Sequence, residues 1–239
     1  MSRILRCRIC GVETWFSLCF EKHGFEGNLM RYERCLGCAS LLCTDPTWLV
    51  RAYEKTNDLD DPGAPQRAKA VARLIGVLQP VHRWLDYGAG QGLLANYVAA
   101  VTSYDPFQAG MNVRPSQRFE GASMVEVLEH LMEPEKDLHQ LFIDLESGSP
   151  LLVTTNLYDI GYDASWPYLA SEFGQHVTFP SKRGLGLLAR RTGFEWLLFA
   201  RPNELHPLEI HLLFKPPSPN IAVLSEKIRC AGFTVELMP

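Results

Sequence analysis

The chain has 239 residues, 46% of them apolar and 21% charged, with a net charge of −4. That length holds one α/β domain and a small module, and the composition requires a packed core rather than disorder. The acidic balance excludes a global basic field for nucleic acid and leaves room only for a local basic patch.

No apolar run approaches the roughly 20 residues of a membrane span. The opening residues MSRILRCRIC lack the apolar stretch of a signal peptide, so the expected compartment is the cytoplasm. Thiols stay reduced there, and seven cysteines then point to metal ligation and free thiols rather than disulfides.

Six of the cysteines fall in the first 45 residues. Cys7-x-x-Cys10 and Cys35-x-x-Cys38 are two knuckle-type pairs, with Gly11 and Gly37 placed to supply the tight turns. Four thiolates make the closed tetrahedral site of a structural zinc, with no open position for a reacting water. Cys43 is the alternative to Cys38, Cys19 lies outside the pattern, and the competing reading is a set of buried free thiols. Residues 1–45 read as a zinc-ribbon module, 46–65 as a linker, 66–215 as the main domain, and 216–239 as a linker and tail.

After the turn Asp61-Pro62-Gly63, Val71, Leu74, Ile75 and Leu78 recur at helical spacing, and Pro80 stops the pattern. Strands and helices then alternate. Arg83–Tyr87, Val101–Asp105, Ser123–Leu128 and Leu151–Asn156 read as buried strands. Leu93–Ala100, the stretch opened by Pro134, and the stretch capped by Ser181 and ended by Gly193 read as helices. Phe194–Ala200 and Leu208–Phe214 close the domain as a strand pair. This order predicts an α/β fold with a doubly wound, mainly parallel sheet.

Between the first strand and the first helix lies Asp86-x-Gly88-x-Gly90-x-Gly92. Glycines there let a ligand approach the backbone, and the carboxyl end of a first strand is where such sheets bind nucleotides. The dinucleotide spacing and the P-loop lysine are both absent. Asp105, at the tip of the next strand, can accept two hydrogen bonds from a ribose diol.

The stretch DYGAGQG, with the acid in SYDPF, resembles the class I S-adenosylmethionine-dependent methyltransferases over about residues 66–215. The resemblance implies a Rossmann-like fold and cofactor contacts from Asp86, Tyr87, Gly88, Gly90, Asp105, Pro106, Phe107 and Glu126. It continues in EVLEHLMEPEKDL, which resembles the fourth-strand motif of the family. One departure stands out. Asp105 and Ser123 are too close in sequence for the usual helix and third strand, so the third-strand region is shortened. Glu120 is the candidate to replace the family's adenine-contacting acid.

Glu126, Glu129 and His130 lie within that motif, after the fourth strand, and His176 lies before the last helix of the domain. His130, with Glu129 and His176 near it, is the candidate base that takes a proton from the acceptor. Glu126, Glu129 and His130, with His176, are also a plausible mixed set for a divalent ion. Glu-x-x-Glu-His with a later His is similar to ubiquinone-pathway and small-RNA methyltransferases, which the resemblance associates with magnesium-type ions. Trp166 and Tyr168 either stack on a substrate ring or pack a surface loop. His82, His139, His206 and His211 show no partner pattern.

These residues lead to a methyltransferase acting on a small hydroxylated or amine acceptor, such as a sugar or sugar nucleotide. Arg3, Arg6, Arg8, Arg31 and Arg34 keep open an RNA acceptor held by a basic ribbon. A cofactor-fold binding module without turnover is the third reading. No membrane partner is expected.

Overall fold

The computed structural model describes residues 3–56, 61–78, 82–203 and 208–238. The helix stop at Pro80 and the position of His206 lie outside them. Tertiary contacts gather the chain into two compact units, neither continuous in sequence. One comprises Met1–Leu59, Leu128–Asp137 and Asn156–Arg191, and the other Asp60–Val127, Leu138–Thr155 and Thr192–Pro239.

The first unit is built on an antiparallel sheet. Strands β1 (Arg3–Arg6), β2 (Glu13–His23), β3 (Leu29–Cys35) and β4 (Leu41–Cys43) pair in chain order. A fifth strand, β9 (Thr178–Phe179), arrives from far along the chain and pairs with β4 through Leu41↔Phe179 and Leu42↔Thr178. The ribbon cannot close a core alone. It buries Phe25, Met30, Tyr32 and Leu41 against Trp48, Leu169, Val177 and Phe179. Trp48, just before helix α1 (Leu49–Thr56), donates its ring N–H to the carbonyl of Gly174 at 3.0 Å, so its burial leaves no unmet polar group.

The second unit holds the expected doubly wound sheet. Its strands are β5 (Trp84–Tyr87), β6 (Val101–Tyr104), β7 (Gly121–Val125), β8 (Pro150–Thr154), β10 (Glu195–Pro202), β11 (Ile210–Phe214) and β12 (Phe233–Leu237). They lie in the order β12-β10-β11-β8-β7-β5-β6. Strands β5 to β8 are mutually parallel, whereas β11 runs antiparallel to β8 and β10 antiparallel to β11. Helices α2 (Ala64–Leu78) and α3 (Pro134–Asp144) form where the apolar spacing places them, as does α4 (Lys182–Arg191), which belongs to the first unit. Among the described residues no strand lies between β6 and β7, so β6 is the sheet edge and the third-strand region is shortened as expected.

Two elements differ from the sequence reading. The stretch after the glycines makes a single 3-10 turn, Leu93–Asn96, instead of a helix to Ala100. The crossover from β5 to β6 runs only from Gly88 to Ala100, and the glycine loop consumes much of it. Downstream of the KPPSPN segment, α5 (Ile221–Cys230) and β12 extend the sheet. Asn220 caps α5 by accepting from the N–H groups of Ala222 and Val223. No helix among the described residues is long and apolar enough to cross a membrane.

His211 is fully buried at the centre of β11, between Trp196 and Phe199. Burial lowers its pKa to about 4. An unfolded histidine titrates near 6.5, so between pH 6.5 and 4 the unfolded chain binds the extra proton. Stability is therefore intact above pH 6.5 and falls by about 3 kcal/mol as pH drops to 4. Urea unfolding across this window should show that loss, and His211→Gln should flatten it.

Candidate functional site

In the second unit, the glycine loop sits at the carboxyl ends of β5 and β6. Gly88 and Ala89 donate their N–H groups to the carbonyl of Tyr104 at 2.8 and 3.1 Å. Asp105 binds the loop with both oxygens, accepting from the N–H of Gly90 and the N–H of Phe107, each at 2.8 Å. Gly88 has φ +72°, and a Cβ there would lie 2.5 Å from Val127 Cγ2. Gly90 has φ +53°, but a Cβ there would meet no atom within 4 Å. One glycine is thus required by packing, and the other leaves open space along the backbone, the kind of cradle a cofactor fills.

Asp86 is 4% exposed and accepts from the Ser123 hydroxyl at 2.9 Å, and Ser123 itself accepts from the Trp84 ring N–H at 3.1 Å. Burial, reinforced by the charge of Asp105, raises the Asp86 pKa to about 6. Ser123 escaped the sequence reading; its one signal is a hydroxyl inside an apolar strand. Tyr87 is buried, with the Arg114 guanidinium 5.4 Å from its ring centre, and Arg114 pairs with Asp144. Arg114 comes from the segment that replaces the third strand. Phe107 is exposed beside Pro106.

Glu126 directly follows β7 with φ +54°, a strained conformation for a residue with a side chain. Thr154 holds it there. Its hydroxyl donates to the Glu126 carboxylate at 2.8 Å and accepts from the Glu126 N–H at 2.8 Å. Glu120 is not at this edge. It precedes β7, at the amino end of the strand, and accepts from the N–H of His82 while facing Arg83. A residue at the amino end of a parallel strand cannot take the adenine contact that forms at the carboxyl end.

In the first unit, Glu129, His130 and His176 bring their ligating atoms within 4.8 Å of one another. Glu126 is not part of that group. The ring centres of His130 and His176 are 4.7 Å apart, edge to face. His176 Nδ1 lies 2.7 Å from the carbonyl of Tyr168 and donates its proton there. His130 Nδ1 is buried with no hydrogen-bond partner. Burial, and then the neighbouring His176, lower the His130 pKa well below its ordinary value, so the ring is neutral near pH 7. Tyr53 faces His130 at 6.2 Å between ring centres, and Tyr168 faces His176 at 5.0 Å. No sequence pattern pointed to Tyr53 at this place.

The family described as "Methyltransferase domain" matches residues 64–198, more than half of the chain. The chain belongs to this methyltransferase family. With the glycine loop, the acid at the tip of β6 and the strand order, it is a class I S-adenosylmethionine-dependent methyltransferase. No curated protein matches it. Three solved methyltransferases share the fold at low identity. The first, from Thermotoga maritima, is described as a possible histamine N-methyltransferase; it has 18% identity and a TM-score of 0.51, with 72% of this chain and 98% of that one covered. A Burkholderia thailandensis 1,6-didemethyltoxoflavin N1-methyltransferase has 16% identity and a TM-score of 0.51, with 71% and 86% covered. Human N-acetylserotonin methyltransferase has 14% identity and a TM-score of 0.51, with 71% of this chain covered. This chain spans only 56% of the human enzyme's length.

The methyltransferase match begins after the cysteine knuckles, which belong to the first unit. Cys7, Cys10, Cys35 and Cys38 are all buried, with their sulfurs within 4.8 Å of one another. Cys7 and Cys38 are 3.8 Å apart, as are Cys10 and Cys35. Zinc–sulfur bonds of about 2.3 Å at tetrahedral angles put sulfurs about 3.8 Å apart, so the cluster fits that ion. Cys43 is outside the cluster. Each knuckle closes the same way: Gly11 N–H donates to the carbonyl of Cys7, and Ala39 N–H to the carbonyl of Cys35, both at 2.8 Å. Both closing residues are left-handed, at φ +72° and +64°. The second turn is therefore closed by Ala39 rather than Gly37. Gly37 N–H instead points at the Cys35 sulfur, which the Cys38 and Cys7 thiols and two backbone N–H groups favour as thiolate.

Proposed function

We propose that this methyltransferase acts on a small hydroxylated or amine acceptor, such as a sugar or sugar nucleotide, with His130 as the base. The observation that carries this reading is the Glu129–His130–His176 group, with its neutral, unpartnered His130 nitrogen. Bound S-adenosylmethionine supplies an electrophilic methyl on a sulfonium. Gly88, Gly90 and Asp105 hold it, with Asp86, Tyr87, Pro106, Phe107 and Glu126 completing the cofactor edge. His130 would take the proton that the acceptor oxygen or nitrogen gives up when it is methylated. Glu129 and His176 hold that ring in place. Alignment of the acceptor supplies the remainder of the rate.

Two ions accompany this reading. The four thiolates of the ribbon hold a structural zinc, which in turn requires a reducing compartment such as the cytoplasm. Glu129, His130 and His176 also make a donor set for a divalent ion. The carbonyl that fixes His176 is the partner a ligating histidine needs. An RNA acceptor has less support, because Arg8 is turned inward and Arg31 pairs with Glu21.

The test is transfer of label from S-adenosylmethionine into a small-molecule extract. His130→Gln should lower turnover by about 100-fold or more, with S-adenosylhomocysteine affinity unchanged. Equal turnover would remove His130 from the chemistry.

A further inference from the structure

We infer that Arg8, inside the first cysteine knuckle, is a positioning residue for Glu129, His130 and His176, so that the thiol cluster serves the acid–imidazole group. The inference rests on that group being the active centre, as proposed above. Its test reads imidazole geometry rather than methylation, so either idea can fail without the other.

Arg8 lies between Cys7 and Cys10, and its side chain turns into the first unit. One guanidinium nitrogen donates to the carbonyl of Cys43 at 2.7 Å. The other reaches the Thr178 hydroxyl at 3.3 Å and the Met132 sulfur at 2.8 Å. Thr178 passes the connection on, donating its hydroxyl to the carbonyl of Leu131 at 2.7 Å. Leu131 and Met132 directly follow His130 in the chain. Thr178 stands two residues after His176.

A second set of bonds runs beside the first. Val177 donates its N–H to the carbonyl of Glu129 at 2.8 Å, and its own carbonyl accepts from the N–H of Cys43 at 2.9 Å. Cys43, residues 129–132 and residues 176–178 are therefore stitched together at one place, and Arg8 is the only side chain in these bonds that touches all three segments. These bonds set the backbone directions on either side of His130 and directly after His176.

The chemistry of arginine suits this task. Its planar fork offers donors in fixed directions and stays charged, so it can hold two acceptors and pack against a sulfur at once. A lysine in its place is a point charge on a flexible stem. The direction of the Arg8 side chain is in turn set by its backbone, which the ligand cysteines pin on both sides. A metal held by the knuckle would thus fix where the fork points, and the fork holds the segments that carry Glu129, His130 and His176. None of these bonds was legible in the sequence, where Arg8 read as one of several basic residues.

The experiment is imidazole nitrogen–proton correlation spectroscopy on the full chain, with His130→Gln and His176→Gln assigning the signals. Wild-type His176 should show two well-separated nitrogen resonances, the pattern of a ring locked with its proton on Nδ1. Arg8→Gln should keep zinc by elemental analysis and keep S-adenosylhomocysteine affinity, yet lose that locked pattern and shift the His130 signals. Arg8→Lys should restore the pattern only in part. Where Arg8→Gln loses zinc, Thr178→Val decides, since it cuts the connection while leaving the knuckle intact. Loss of the locked pattern in Thr178→Val supports the inference. Unchanged imidazole signals in Thr178→Val, or in a zinc-retaining Arg8→Gln, overturn it.

Discussion

Replacing Gly88 with alanine should weaken S-adenosylhomocysteine binding by about two orders of magnitude, because overpacking and left-handed strain each cost about 1–3 kcal/mol. The added Cβ would stand 2.5 Å from Cγ2 and 2.9 Å from Cγ1 of Val127, a buried side chain with little room to move. The backbone at φ +72° resists any side chain as well. Relief requires the loop to shift, and the shift breaks the N–H contacts of Gly88 and Ala89 with Tyr104 and of Gly90 with Asp105. Gly90→Ala should behave differently. Its Cβ meets nothing within 4 Å in the free protein, so it should lower affinity more than it lowers the melting temperature. Calorimetric titration of both variants, beside their melting curves, separates the two cases. Wild-type affinity in Gly88→Ala would place the cofactor somewhere other than this loop.

The second large effect is expected at the thiol cluster. Cys38→Ser should release zinc and lower the melting temperature by about 10–20 °C, the range for losing about 4–5 kcal/mol in a chain of this size. Cys38 is fully buried, its sulfur faces Cys7 at 3.8 Å, and its carbonyl accepts the Ser181 hydroxyl that caps α4 through the N–H of Gly184. Losing the ion therefore loosens the knuckle and the start of a helix together. Cys19→Ser is the matched control, since Cys19 is exposed and outside the cluster. Elemental analysis and calorimetry read the result. A wild-type protein without zinc, melting at the same temperature as Cys38→Ser, would leave the cysteines as ordinary core residues.

The parts of this fold visible in the sequence are those with a local signature. Cys-x-x-Cys spacing declares a knuckle because four sulfurs around one ion demand it. Alternating glycines after Asp86 declare a loop because side chains resist those backbone angles. The parallel strands announce themselves as apolar runs, and the gap from Asp105 to Ser123 is short enough to expose the missing strand. What stayed hidden is long-range. A two-residue strand such as β9 has no period to detect, yet its pairing with β4 joins residues 156–191 to the ribbon sheet in one compact unit. Ala39 took the left-handed turn expected of Gly37, because the closing residue is the fourth after the first cysteine of each pair. Glu120 looked like a spare acid until the direction of β7 put it at the wrong end. Histidines 130 and 176 were legible as candidates, whereas the packing of Tyr53 and Tyr168 on them and the bonds of Arg8 to the neighbouring segments were not. Those contacts depend on how the ribbon sheet is completed, which no nearby residue encodes.

The most direct measurement incubates the purified chain with labelled S-adenosylmethionine and a size-fractionated cell extract, with and without magnesium. Label is expected in the small-molecule fraction, with none from Gly88→Ala and little from His130→Gln. Label confined to a large, ribonuclease-sensitive fraction would contradict the small acceptor, and no label in any fraction, with no binding of S-adenosylhomocysteine, would contradict the assignment of a working methyltransferase.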